Sequence, residues 1–262
     1  MNPESTPQVT DKEDTAIDSR SQLRAILTCI GIGVGALLGA GVWMAPGYIL
    51  LYLIQGEVTS QAGILIETIS LLFGAASIYY IYLKWGNKYD DSIEIEIPNR
   101  KTVAIVIGGI ISLILMGFAI EQVTQLFGIT SSDHGIYKLA TAEGSEIPPA
   151  FFLLMAGLSI VVVGPAEELI YRGVIQKYLY NIFTRKRAIA ITSVIFSLVH
   201  IPAYLTGEVG SVIVALVSVL FLSVVLGGIY SYTENLAAPV LIHGFYNAIL
   251  FVLLYIELAG LI

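Results

Sequence analysis

The chain has 262 residues, of which 56% are hydrophobic and 13% charged, and its net charge is −7. Soluble domains carry about a quarter charged residues, so this composition excludes an ordinary soluble domain and points to a protein embedded in lipid. The acidic balance argues against a nucleic-acid partner, which would need a basic face.

The opening MNPESTPQVTDKEDTAIDSRSQ (1–22) is polar and acidic, with no basic n-region and no small-residue cleavage site. It reads as a disordered cytoplasmic tail and not as a signal peptide. Seven apolar runs follow, at 25–54, 62–83, 102–120, 149–180, 188–205, 210–231 and 236–258. Each approaches the length needed to cross roughly 30 Å of hydrocarbon as a helix; the fifth is the shortest. The first could be one tilted helix broken near Pro46. None alternates apolar with polar residues, which excludes a barrel. The expected fold is therefore an all-α polytopic membrane protein with about seven transmembrane helices, eight at most. Three N-terminal spans (23–130) precede a group of four (149–258). The expected location is a prokaryotic cell membrane.

Basic residues set the expected orientation. With the N-terminus cytoplasmic, Lys12, Arg20, Arg24, Lys84, Lys88, Arg100, Lys101, Lys177, Arg185, Lys186 and Arg187 fall inside. Lys138 alone falls outside, and Arg172 lies within the fourth run. The loop 128–148 then lies outside; it has no apolar periodicity, and its His134 reads as a solvated loop residue.

Within the first run, Cys29 is the single cysteine, which rules out a disulfide framework and leaves a packing role. GIGVGALLG (31–39) looks like a phosphate-cradling loop but lacks the Rossmann and P-loop patterns. Gly31, Gly35 and Gly39 instead share one helix face suited to close packing. HExxH and GxSxG are both missing, so a helix-borne zinc protease site and a nucleophile elbow are not on offer. Glu67 could pair within the bundle or sit near the interface, and Glu121 ends the third span.

Ionisable side chains inside a membrane cost about 2.5–3.5 kcal/mol each and default to functional candidates. They cluster in the second half of the chain. Glu167, Glu168 and Arg172 lie in the fourth run, His200 in the fifth, and His243 with Asn247 in the seventh. Glu168 and Arg172 are four apart and can pair, while Glu167 is rotated about 100° away. Phe196 and His200 share a face, as do His243 and Asn247. At about 1.5 Å per residue, Glu167 falls ~15 Å from Lys177 and His243 ~10 Å from the loop at 233–235. Three helices could thus bring a carboxylate, two imidazoles and an amide to one cavity opening to the cytoplasm.

The set EExxxR (Glu167, Glu168, Arg172), FxxxH (Phe196, His200) and HxxxN (His243, Asn247) resembles the CPBP family of intramembrane proteases. That family includes CAAX prenyl endopeptidases of the Ras-converting type and bacteriocin-processing and self-immunity proteins. TENLAAPVLIHGFYNA (233–248) also resembles the segment leading into that family's last motif; the first three spans resemble nothing we can name. The resemblance implies Glu167 as general base, His200 as the group that positions water, and His243 with Asn247 as donors to the oxyanion. Glu168 paired with Arg172 would hold the helix and keep Glu167 oriented, with Tyr171 as a further hydrogen-bond partner. The same resemblance admits a zinc ion held by Glu167, His200 and His243, and the motifs do not separate the two schemes. Implied partners are the bilayer and a peptide or lipopeptide, such as a prenylated C-terminal tail or a bacteriocin precursor. An inactive immunity or scaffold protein and a proton-coupled transporter are the alternatives. A transporter usually carries internal repeats, and the first three spans hold no second copy of EExxxR or HxxxN.

Overall fold

The computed structural model describes residues 18–85, 93–129, 131, 134–205 and 208–261. The tail expected over 1–22, apart from its last residues, lies outside the described residues, as do Lys12 and Lys88. The described chain folds into helices α1 (Ser19–Gln55), α2 (Ser60–Trp85), α3 (Arg100–Gln125) and the short α4 (Gly135–Thr141). They are followed by α5 (Phe151–Tyr180), α6 (Arg185–Val199), α7 (Ile201–Tyr204), α8 (Val209–Thr233) and α9 (Ala237–Leu258).

Six of these, α1, α2, α3, α5, α8 and α9, are long and apolar enough to cross a membrane. Their outward faces carry large apolar side chains, with Leu53 76% and Val42 71% exposed. A soluble protein does not present a patch of that kind; here it meets lipid, and the protein is an integral membrane protein. The expected fifth run is shorter. Pro202 has no N–H to continue the ladder, so the long helix stops at Val199 and His200 caps it. Fifteen residues reach about 22 Å, which leaves α6 short of a full span. Pro46, by contrast, lies inside an unbroken α1.

Helix ends follow local chemistry. The side chain of Asn99 accepts a hydrogen bond from Thr102 N–H (3.0 Å) and caps α3. Gly56 closes α1 at φ 79°, where a side chain would strain the backbone.

Helix α5 is the centre of the molecule. It packs against α9 on one side and against α1 and α2 on the other, while α6 lies between α1 and α8, and α3 covers α8 and α9. The α1–α2 crossing depends on small residues: a Cβ on Gly74 would fall 2.4 Å from Ala40 N. Of the glycine face read from the sequence, Gly39 meets Gly74 and Gly35 meets Ile78, but Gly31 faces open space. Cys29 is fully buried in the core.

The bundle has two chemically distinct ends. At one, Arg185 pairs with Glu234, Lys101 lies 5.1 Å over the Tyr232 ring, and Asn235 exchanges hydrogen bonds with the backbone of Glu96. At the other, Tyr137 donates to Glu257 (3.0 Å), Gln61 donates to the Glu146 carbonyl (2.9 Å), and His134 meets Tyr204 edge-on. Within the loop expected over 128–148, α4 packs against this second end, with Ala140 and Ile147 buried.

Candidate active site

The site begins with an irregularity in α5. Two π-helical stretches, Ser159–Val163 and Leu169–Gln176, flank one α-helical turn, Gly164–Glu168. Pro165 cannot donate to the residue four before it, and the wider π register on its N-terminal side accommodates that loss. Widened turns on both sides aim the short segment PAEE.

Glycines bring the next helix in. A Cβ on Gly164 would fall 2.9 Å from the Val240 carbonyl, and one on Gly244 would fall 2.8 Å from the Cα of Ile160. With both positions bare, the backbones of α5 and α9 touch, and His243, next to Gly244, is carried against the glutamates. Asn235 fixes the start of α9: its Oδ1 accepts from Ala237 N–H (2.9 Å) and Glu96 N–H (3.1 Å).

These constraints bring the predicted residues to one place. Glu168 is fully buried and bridges two partners. Its Oε2 lies 2.9 Å from Arg172 Nε, and its Oε1 accepts from His243 Nδ1 at 2.8 Å. The sequence reading gave Glu168 the first contact but not the second. Arg172, also fully buried, lies 5.0 Å over the Phe196 ring. Phe196 is a hub, with Tyr171 edge-on at 4.7 Å, His200 at 4.4 Å and His243 at 6.0 Å. Tyr171, expected as a hydrogen-bond partner, is placed there by ring packing.

Glu167 points away from Glu168, as its rotation requires. Its Oε2 stands 3.7 Å from His200 Nε2 and 3.9 Å from His243 Nε2. Both distances are too long for direct hydrogen bonds and within reach of a shared water. His200 Nδ1 lies 2.7 Å from the Phe196 carbonyl, which can only accept, so Nδ1 carries a proton and Nε2 is turned to Glu167. His243 Nδ1 also donates, but to the Glu168 carboxylate, which holds the ring with its Nε2 towards Glu167.

The carboxylate and two imidazoles have the chemistry of a zinc donor set. Their spacing does not fit one. Tetrahedral ligands at 2.0–2.1 Å would lie about 3.4 Å apart, and among the described residues no three His, Cys, Asp or Glu side chains close into a metal-holding group.

A cavity of about 520 Å³ contains Glu167, His200, His243 and Asn247 in its wall. A second, of about 320 Å³, runs between α1, α2 and α5, and also reaches Glu167 and His200. Glu67 lines this second space and accepts from Tyr48 Oη at 3.2 Å. Glu121, at the end of α3, accepts from Gln125 (3.2 Å). His134, read from the sequence as a solvated loop residue, lines both cavities. It is exposed at the rim, yet its ring is enclosed beside Tyr204. That desolvation, followed by repulsion from His200, pushes its pKa down to about 4. The walls of the larger cavity run from Glu167 through Met155, Ala215 and Leu254 to Tyr137 and Glu257, all towards the end opposite the basic one.

The family model of the type II CAAX prenyl endopeptidases, Rce1-like, matches residues 149–249. The membrane-embedded CAAX protease MroQ of Staphylococcus aureus (strain USA300) is 25% identical over 206 residues, 74% of this chain and 74% of that protein. No solved structure matches the chain. The matched region contains all three motifs gathered around the cavity, so residues 149–249 are similar to the type II CAAX prenyl endopeptidases over the stretch that builds the site.

Proposed function

We propose that the chain is a glutamate-dependent, metal-free intramembrane endopeptidase. The observation that carries this reading is the placement of Glu167 Oε2 3.7 Å and 3.9 Å from two imidazole nitrogens on a cavity wall. Water hydrogen-bonded between Glu167 and Nε2 of His200 is positioned for attack. Glu167 takes its proton as the oxygen adds to the scissile carbonyl. The negative charge that develops on the carbonyl oxygen meets the Nε2–H of His243 and the amide N–H of Asn247. One such donor typically contributes 10²–10³-fold to kcat. Glu167 then returns the proton to the departing amine, which completes hydrolysis with the carboxylate regenerated.

Glu168 acts one step back. By accepting from Nδ1 it fixes the ring of His243 and stabilises the positive charge that makes His243 a donor, much as a buried aspartate orients a catalytic histidine. Substrates of this chemistry are peptides or lipopeptides, and the resemblance adds a prenylated C-terminal tail or a bacteriocin precursor.

The test uses purified protein in lipid with a fluorogenic peptide pool. Cleavage by the wild type should disappear in Glu167→Ala and in His243→Ala, with thermal unfolding still cooperative in both. Full activity in both variants would remove the reading. An active enzyme washed with chelator should keep its rate and contain substoichiometric metal; loss of rate restored by zinc would replace the metal-free scheme with the metal one.

A further inference from the structure

We infer that the cavity takes its substrate from the non-cytoplasmic side of the membrane, so the substrate is a peptide or lipopeptide segment exposed on that face. The inference rests on the protease reading for the word substrate, but its geometry stands alone.

Two observations meet. The first is where the cavity lies. Its deep end is Glu167, Phe196 and His243, near the middle of α5 and the first turns of α9. From there its walls follow the N-terminal half of α5, the N-terminal half of α8, and the C-terminal half of α9. All three lead to the end that carries α4, α7 and Glu257, where Ser131 and His134 form the rim. No cavity-lining residue lies in the last two turns of α8 or the first turn of α9.

The second is where the positive charge lies. Nine described Lys and Arg residues flank the helix ends at the closed side, from Arg20 and Arg24 through Lys84, Arg100 and Lys101 to the run Arg185–Arg187 with Lys177. Lys138 is the one described counterpart at the rim side. The contacts Arg185–Glu234, Lys101–Tyr232 and Asn235–Glu96 confirm that α3, α6, α8 and α9 present the same end there. Lys and Arg in short loops stay cytoplasmic. The basic end therefore faces the cytoplasm, and the mouth faces away from it.

The wall between the site and the cytoplasm adds to the case. Leu179, Ile175, Leu226 and Ile242 are fully buried below the glutamates, with Gln176 tied to Tyr180 and the Gly227 carbonyl among them, so the route from the basic end is filled by packed side chains. A peptide carrying a solvated backbone would have to break that packing, whereas the rim is lined by Ser131, His134, Tyr137 and Glu257.

The test is labelling in intact cells. In a Cys29→Ala background, single cysteines are placed at Ser131 on the rim, Ser218 inside the cavity and Ser231 at the basic end, and treated with a membrane-impermeant thiol reagent. Ser131→Cys and Ser218→Cys should react in intact cells, and Ser231→Cys only after permeabilisation. Reaction of Ser231→Cys in intact cells, with Ser131→Cys silent until permeabilisation, would overturn the inference. If Ser218→Cys is unreactive while Ser131→Cys labels, the cavity does not open at the rim, and the inference also fails. Labelling needs no proteolysis, so failure of the protease reading leaves these results unchanged. A second arm compares an added peptide with right-side-out and inside-out vesicles. Cleavage by right-side-out vesicles alone is expected, and cleavage confined to inside-out vesicles would contradict access from the rim.

Discussion

Arg172 is a guanidinium with no exposed surface, held by one carboxylate and the face of one aromatic ring. Removing one partner of such a buried pair typically costs about 3–5 kcal/mol, whereas replacing both by apolar groups is often neutral. Glu168→Ala should therefore lower thermal stability in detergent sharply, and the double change Glu168→Leu with Arg172→Met should recover most of it. Peptide cleavage should not recover, because the double variant still lacks the oxygen that His243 Nδ1 bonds. Equal recovery of stability and activity would show that Glu168 supports the helix alone. The spacing EExxxR made the ion pair legible in the sequence. The bond to His243 was not, since it joins residues 75 positions apart and depends on how closely two helices approach. His134 was hidden for a related reason: an isolated histidine in a polar loop gives no sign of the cavity it will face.

The helices themselves were legible because runs of about 20 apolar residues have few alternatives in lipid. Their internal detail was not. Hydropathy is the same for α and π turns, so the widening on both sides of PAEE left no mark beyond Pro165. The shortening of α6 did leave one, in Pro202, whose missing N–H ends the long helix where His200 is needed. The contact of α5 with α9 is the element-scale feature on which the site depends, and Gly244 tests it. Gly244→Val would place side-chain carbon against the backbone of Ile160 and force the helices apart. We expect loss of cleavage by at least about 100-fold, as a misplacement of 1 Å can produce, with a lower unfolding temperature. Gly31→Val, which meets nothing within 4 Å, should leave both unchanged. If Gly244→Val keeps full activity, close backbone contact does not set the position of His243.

For the whole molecule, the basic residues gave a clear asymmetry in the sequence, and the described ends of the helices keep it. What the sequence could not give was the side on which the helices diverge to leave a cavity, because depths counted along each span say nothing about the space between spans. The α1–α2 pair also acquires a place in the molecule: with α5 it walls the second cavity, which reaches Glu167 from another direction. The central claim is that the Glu167 carboxylate activates the water that cuts a peptide bond. The most direct measurement is single-turnover cleavage by Glu167→Gln in lipid, which keeps the side chain's size while removing its basicity. The account predicts that this variant binds the peptide with unchanged affinity and loses turnover by about 10³-fold or more, the scale on which an acid–base group contributes. Turnover within a few-fold of wild type would contradict it.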